Sequence, residues 1–301
     1  MKEFISVKQA AQKWGVSERS VRNYCAQGRV PDAFVTGKTW NVPADAEKPH
    51  RKPFESIARR SLLRVLRDEK EARMPGGIYH RVQVDLTYNS NHIEGGRLTR
   101  DQTQLIFETR TIGTDGSAVN VDDVIETVNH FRAIDHVIDT AGRRLTQAYI
   151  KRLHGMLKSG TQDADSSWFA VGDYKLLPNE VGGLPTAAPE EVGGEMAELL
   201  TWYGGIEKVA LAEILESHWR LERIHPFQDG NGRVGRLIMF KECLKHDVVP
   251  FVITDDLKAL YYRGLAEYHR EPGYLEGTAL TAQDQFKQLL DNFRISYGSD
   301  E

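Results

Sequence analysis

Apolar residues recur every three or four positions over most of the chain, so helices dominate the expectation. Val7, Ala10, Ala11 and Trp14 make a first apolar face, opened by a Ser6 and Gln9 capping box and stopped by Gly15. A second short face, Val21, Tyr24 and Cys25, follows a Ser17 cap, ends at Gly28 and precedes Pro31. Residues 36–43 read as a hairpin, and 43–53 (PADAEKPHRKP) as a linker. Phe54, Ile57, Ala58, Leu62, Val65 and Leu66 start a long helix that Pro75, Gly76 and Gly77 interrupt. Further helical runs cover 78–94, 98–112 (with a Thr99 and Gln102 capping box), 122–141, 146–157, 190–203 and 211–224. Val234 to Leu244, a run through Leu260 and Leu265 behind Asp255 and Asp256, and residues 281–297 continue the pattern. Between 159 and 188 the helical period is lost and Gly, Pro and Asp accumulate. A thirty-residue irregular stretch inside a compact domain is more often functional than not.

Length and composition narrow the class. The 301 residues, 40% hydrophobic and 27% charged, are those of a globular protein with one large and one small domain. No run of about 18 apolar residues suggests a membrane span, and the first fifteen residues lack a signal peptide's apolar core. Cys25 and Cys243 form no C-x-x-C, so a reducing, cytoplasmic setting is expected. The net charge of −4 is unevenly spread: residues 1–52 carry 10 Lys+Arg against 5 Asp+Glu, the rest 29 against 38. A basic head on an acidic body implies different partners for the two parts.

The densest chemistry lies in His225-Pro226-Phe227-Gln228-Asp229-Gly230-Asn231-Gly232-Arg233-Val234-Gly235-Arg236. Pro226 disfavours helix at His225, so the preceding helix should end there. Gly230, Asn231 and Gly232 make a tight turn, and the next helix starts at once. That turn is therefore a helix N-terminus, where unpaired N–H groups and the dipole attract anions. Arg233 and Arg236, one turn apart, oppose the dipole unless an anion is present. A polyphosphate ligand follows. Asp229 is a hard oxygen donor suited to Mg²⁺ on phosphate oxygens. His225 can accept a proton from an attacking hydroxyl near neutral pH. His154, on an apolar helical face, reads as a packed core residue.

This window resembles the Fic family motif His-x-Phe-x-(Asp/Glu)-Gly-Asn-Gly-Arg-x-x-Arg position for position. The resemblance implies a protein adenylyltransferase that moves AMP from ATP to a Ser, Thr or Tyr hydroxyl of an unidentified target protein. It implies His225 as base, Asp229 as the ligand of Mg²⁺ (with Mn²⁺ an alternative), and Gly230, Asn231 and Gly232 as the anion hole. Arg233 is then the phosphate clamp, Arg236 part of the ATP site and Phe227 the buried anchor of the loop. Gly232 favours AMP transfer over a related phosphotransferase branch that carries Lys there. Ser90-Asn91-His92-Ile93-Glu94-Gly95 is similar to the family's inhibitory motif (Ser/Thr)-x-x-x-Glu-(Gly/Asn). On that likeness Glu94, with Ser90 on the same face, reaches Arg236 and blocks the seat of the ATP γ-phosphate. Gly172-Asp173-Tyr174-Lys175-Leu176-Leu177-Pro178 resembles the family's hairpin flap, an edge that can hold a target segment by strand addition.

The head resembles excisionase and MerR-type winged helix-turn-helix modules. It would set Arg19, Arg22 and Asn23 in a DNA major groove and Lys38 of the wing on phosphate. A helical protein-interaction module is the alternative. The expected architecture is mainly α: a Fic-type helical core with a small β-hairpin flap, preceded by a small winged helix-turn-helix domain. Expected boundaries are 1–47 for the head, 48–54 for a linker, 55–95 for a helical segment with the inhibitory motif, 96–290 for the catalytic domain and 291–301 for a tail. Double-stranded DNA and a homodimer are partners that this arrangement allows. Other functions stay open: a DNA-binding regulator whose Fic body is a nucleotide sensor, a hydrolase removing AMP, and a metal hydrolase built on His218, His225, Asp229 and His246.

Overall fold

The computed structural model describes residues 3–26, 29–37, 39–49, 61–114 and 116–297. The chain divides into two compact units, Met1–Arg59 and Arg60–Glu301. In the first, β1 (Phe4–Ser6) leads into α1 (Val7–Trp14) and α2 (Glu18–Ala26), followed by β2 (Phe34–Thr36) and β3 (Thr39–Pro43). Ser6 caps α1 through the expected box: its side chain accepts the Gln9 N–H while Gln9 returns to the Ser6 backbone. Gly15 ends α1 at φ 63°, a left-handed conformation that glycine adopts at no steric cost. The sheet order is β1-β3-β2, antiparallel throughout. The expected hairpin is β2 with β3; β1 is a third strand that the apolar pattern did not mark. Val7, Ala10, Ala11, Trp14, Val21, Cys25, Val30 and Val42 form a small core of this unit's own. Lys38, Gly28 and the expected helix start at Phe54, Ile57 and Ala58 lie outside the described residues.

The second unit is a helical assembly: α3 (Leu62–Ala72), α4 (Ile78–Ile93), α5 (Arg100–Thr109), α6 (Val121–Thr140), α7 (Gln147–Lys158), α8 (Val192–Gly204), α9 (Leu211–Ile224), α10 (Asn231–Lys245), α11 (Lys258–Glu267) and α12 (Gly273–Asn292). Thr99 caps α5 through the box read from sequence, and Thr146 caps α7 by accepting the Tyr149 N–H. Each such cap is worth about 1 kcal/mol. The final helix differs from the expected 281–297: it starts at Gly273 and stops at Asn292. Thr281 had read as a helix start, yet its hydroxyl bonds the Gly277 carbonyl one turn back, inside the helix.

α10 organises this unit. Asn231 and every residue from Arg233 to Leu244 are buried, so the helix is enclosed on all sides rather than along one stripe. It packs against α9, α6, α7 and α4. Gly235 permits the approach of α9: a Cβ there would meet the His218 ring at 2.6 Å and Glu222 Oε1 at 3.0 Å. The hairpin of the irregular segment is β4 (Glu180–Val181) with β5 (Leu184–Pro185), turned by Gly182 and Gly183 at φ 59° and 76°. Residues Gly172 to Leu176, expected to form the hairpin, lie before it in turns and irregular chain with no strand. The physical signal for the true hairpin was the Gly-Gly pair between Val181 and Leu184. Among the described residues no helix is long and apolar enough to cross a membrane.

Candidate active site

α9 ends where Pro226 requires. His225 is its C-cap, at φ 50° and ψ 62°, and its N–H still bonds the Leu221 carbonyl at 2.9 Å. The chain then turns inward at Phe227, which is fully buried and stacks on His154 with ring centroids 4.0 Å apart. Burial of such a ring is worth about 1.5–3 kcal/mol. His154 is thus a packed residue as expected, with its Nδ1 accepting the Gly172 N–H at 3.0 Å. The Asn231 side chain locks the loop by clasping the Phe227 backbone: Oδ1 accepts its N–H and Nδ2 donates to its carbonyl, both at 2.8 Å. Gly230 caps α10 at φ 81°, and the first helical bond runs from the Val234 N–H to the Gly230 carbonyl. The N–H groups of residues 231–233 therefore have no helical acceptor and make the anion-attracting mouth.

The two motif arginines are each 4% exposed and each held by carboxylates. Arg236 donates from Nε to the Ser90 hydroxyl at 3.0 Å, and from Nη2 to the Ser90 carbonyl at 2.9 Å and to Glu94 Oε1 at 2.7 Å. The structure thus joins Ser90, Glu94 and Arg236, as the resemblance implied. Glu94 lies over the loop itself: a Cβ on Gly232 would collide with its carboxylate and come within 2.9 Å of Arg236 Nη1. Only glycine at 232 leaves room for an acid, or another anion, on this mouth. Arg233 pairs with Glu126 of α6 and with Asp229 Oδ2 at 3.0 Å. Lys158, at the end of α7 and 3% exposed, binds Glu126 at 2.7 Å, Asp229 Oδ2 at 2.8 Å and Asp163 at 2.9 Å. Neither Glu126 nor Lys158 carried a signal in sequence, because each belongs to an otherwise ordinary helix. Two buried donors, Arg233 Nε and Arg236 Nη1, have no hydrogen-bond partner among the described residues.

Electrostatics divides the site. Burial works against the Asp229 charge, but Arg233 and Lys158 overcome it and hold its carboxyl down to about 2. Burial lowers His225, with Lys175 adding to the effect and a backbone bond at Glu222 opposing it. The imidazole, 19% exposed, is therefore neutral near pH 7 and able to accept a proton. Glu222, on α9, was not singled out from sequence. Its carboxylate lies 3.9 Å from His225 Nδ1 and 3.9 Å from His218 Nε2, and burial beside Glu94 pushes it up to about 8. His218 is a core residue whose Nε2 meets the Tyr261 hydroxyl at 2.6 Å, and His246 caps the far end of α10. Among the described residues no three His, Cys, Asp or Glu side chains gather in one group.

The segment expected to be a flap lies along the motif loop. The Lys175 N–H bonds the Pro226 carbonyl at 2.9 Å, and the Leu177 N–H bonds Gln228 Oε1 at 3.2 Å. Asp173 pairs with Lys151 at 2.6 Å, the Tyr174 hydroxyl donates to Gln147 at 3.1 Å, and Leu176 is exposed. Gly172, at φ 76°, packs on Gly155. In the head, Arg19, Arg22 and Asn23 are exposed on α2, and Arg22 pairs with Glu18 at 2.8 Å.

Comparison with known proteins agrees with this geometry. A Protein adenylyltransferase Fic of Drosophila grimshawi is 26% identical over 183 residues, 59% of this chain and 36% of that protein. Protein adenylyltransferase fic-1 of Caenorhabditis briggsae is 24% identical over 182 residues, 59% of this chain and 35% of that one. The matched stretch thus spans little more than a third of these curated relatives. A Fic domain containing signaling protein from Bacteroides thetaiotaomicron superposes with a TM-score of 0.56 at 26% identity, over 77% of this chain and 92% of that one. Fic-1 from C. elegans shares the fold at a TM-score of 0.59 and 18% identity, over 78% and 72% of the two chains. The model of the Fic/DOC family matches residues 144–243 of this chain.

Proposed function

We infer that the body of this chain moves AMP from ATP to a Ser, Thr or Tyr hydroxyl of a target protein, and that the conformation described is its restrained form. One observation carries the reading: the Glu94 carboxylate sits over Gly232 at the N-terminus of α10, paired with Arg236, in the place an ATP phosphate would take. Arg236 Nη1, beside Gly232, has no hydrogen-bond partner among the described residues and supports an anion there. In the transfer, the target's hydroxyl oxygen attacks the α-phosphorus, and the bond from that phosphorus to the bridging oxygen of the β-phosphate breaks. Pyrophosphate leaves while His225 takes the hydroxyl proton. Asp229 fits a divalent cation, Mg²⁺ or Mn²⁺. It is ionised and half-exposed, and its Oδ2 is fixed by Lys158 and Arg233, which orients the whole carboxylate at the loop. Such an ion would offset charge on the phosphate oxygens. The test is Glu94→Gly protein beside wild type, each with α-labelled ATP, Mg²⁺ and cell lysate. More labelled protein with the variant supports the reading; equal labelling rejects the restraint.

For the head we infer weak binding to double-stranded DNA. Its two helices, three-stranded sheet and exposed Arg19, Arg22 and Asn23 support that reading. Arg22 must leave Glu18, an exposed pairing worth at most about 1 kcal/mol, to reach a phosphate. A gel shift at two salt concentrations, with and without residues 1–59, tests it. Loss of the shift on truncation is expected, whereas a head that captures protein and no duplex favours the interaction module.

A further inference from the structure

Lys175 is 2% exposed, and its ammonium has no carboxylate within ion-pair distance among the described residues. Its three hydrogens go to neutral acceptors: Asn179 Oδ1 at 2.6 Å, the Thr186 hydroxyl at 2.6 Å and the Ile224 carbonyl at 3.4 Å. Its backbone N–H takes the Pro226 carbonyl at 2.9 Å. One residue therefore holds the chain on both sides of His225. The next carbonyl, that of Phe227, is held by Asn179 Nδ2 at 3.0 Å. His225 needs such support, because a non-glycine residue at φ 50° in front of a proline is in a sparsely populated conformation. The other ends of the clamp, Asn179 and Thr186, flank the β4–β5 hairpin and bond each other across its base, Thr186 N–H to Asn179 carbonyl at 3.3 Å.

We propose that Lys175 is a positioning residue for His225: it clamps the backbone on either side of the imidazole and ties that clamp to the base of the 180–185 hairpin. A segment docked on the hairpin would then bear directly on the base. The proposal rests on the adenylyl-transfer reading of this site. It also explains a buried ammonium without a counter-charge, which packing alone would replace with an apolar chain. The cation opposes protonation of His225 in concert with burial, while Glu222 of α9, Glu94 at the end of α4 and Asp229 of the loop act the other way. Burial lowers Lys175 itself to about 8, with Glu195 of α8 opposing.

The experiment uses full-length protein with Lys175→Met and Lys175→Arg, each with and without Glu94→Gly. Lys175→Met is expected to lower kcat about 10²-fold, the scale of a base displaced by about 1 Å, and to leave KM for ATP unchanged. Lys175→Arg, which keeps the charge and the donors, restores most of the rate. In parallel, NMR titration of the His225 ring, assigned against His225→Ala, should move to higher pH in Lys175→Met and not in Lys175→Arg. Unchanged kcat with an unmoved ring titration overturns the clamp. Should no variant transfer AMP, the reading of the site fails, and the ring titration alone decides whether Lys175 governs His225. If Lys175→Met does not fold, Asn179→Ala keeps the charge, removes one acceptor of the ammonium and leaves the Phe227 carbonyl to Asn231 alone. It must lower kcat at constant KM, and unchanged kcat there also overturns the proposal.

Discussion

Arg233 and Arg236 begin the same helix one turn apart and are equally buried, yet their counter-charges come from different kinds of place. Glu126 lies inside α6, is shared with Lys158, and joins a network of two cations and three acids that includes Asp229 and Asp163. Glu94 is the C-cap of α4, 27% exposed, with Arg236 as its ion-pair partner. A carboxylate at a helix C-terminus opposes that helix's dipole, whereas the same carboxylate at the α10 N-terminus is favoured. Glu94 is therefore held by Arg236 and not by its own helix, and under the proposed function a phosphate would replace it at low cost. Glu126 cannot leave without taking a shared partner from both Lys158 and Arg233. Under the proposed function one pair is a latch; the other is part of the frame.

The largest effect should fall on neither pair. His225→Ala, in the Glu94→Gly protein, is expected to lower AMP transfer about 10²–10⁴-fold while both arginine networks persist. Labelling with α-labelled ATP measures it, and wild-type labelling would remove the base from the mechanism. Glu126→Ala weakens the frame and should cost about 1–3 kcal/mol in denaturant unfolding, since it removes a carboxylate shared by two buried cations and leaves them to Asp229 and Asp163. Glu94→Gly should cost much less, and equal losses would erase the distinction drawn here. The latch shows instead in ligand response. At 100 times Kd, ATP with Mg²⁺ should stabilise Glu94→Gly by about 2.7 kcal/mol in thermal unfolding, and wild type less at the same concentration.

The smallest effect is in pH. His225 is lowered in the fold by burial, so it stays neutral and competent to somewhat below the ordinary imidazole value of about 6.5. Because the folded value is the depressed one, its stabilising contribution is present above the unfolded value and lost as pH falls through the folded one. The acid limb of kcat against pH in Glu94→Gly protein should lie below about 6.5. A limb above that would mean that Glu222 and Asp229 outweigh burial.

The catalytic loop was legible because it is contiguous. A proline, three loop formers and two periodic runs dictate a helix end, a turn and a helix start without help from distant residues. Ser90 and Glu94 were legible through their spacing and their likeness to a known motif, and both meet Arg236. Lys175 was named with a flap, but its burial against Ile224 could not be read from a stretch without helical period. The β4–β5 hairpin was misplaced by eight residues because the reading followed the likeness of residues 172–178 to a flap and not the Gly182 and Gly183 turn. β1 escaped notice because three residues carry too little alternation, and its partner β3 lies more than thirty residues on.

Sequence alone determined where most helices lie, how they are capped, and that an anion-seeking loop with a base and an acid stands at the head of one of them. These are properties of hydrogen bonds and side-chain periods spanning a few residues. Tertiary structure decided the pairings: Glu126 with Arg233 across 107 residues, Lys158 with Asp229 across 71, and the Lys175 ammonium with Ile224 across 49. Which charge meets which depends on how α4, α6 and α7 pack around the enclosed α10, and helical period is silent on that. Once α10 is buried on every side, its two arginines must find carboxylates there, because an unpaired charge removed from water costs more than the fold can bear.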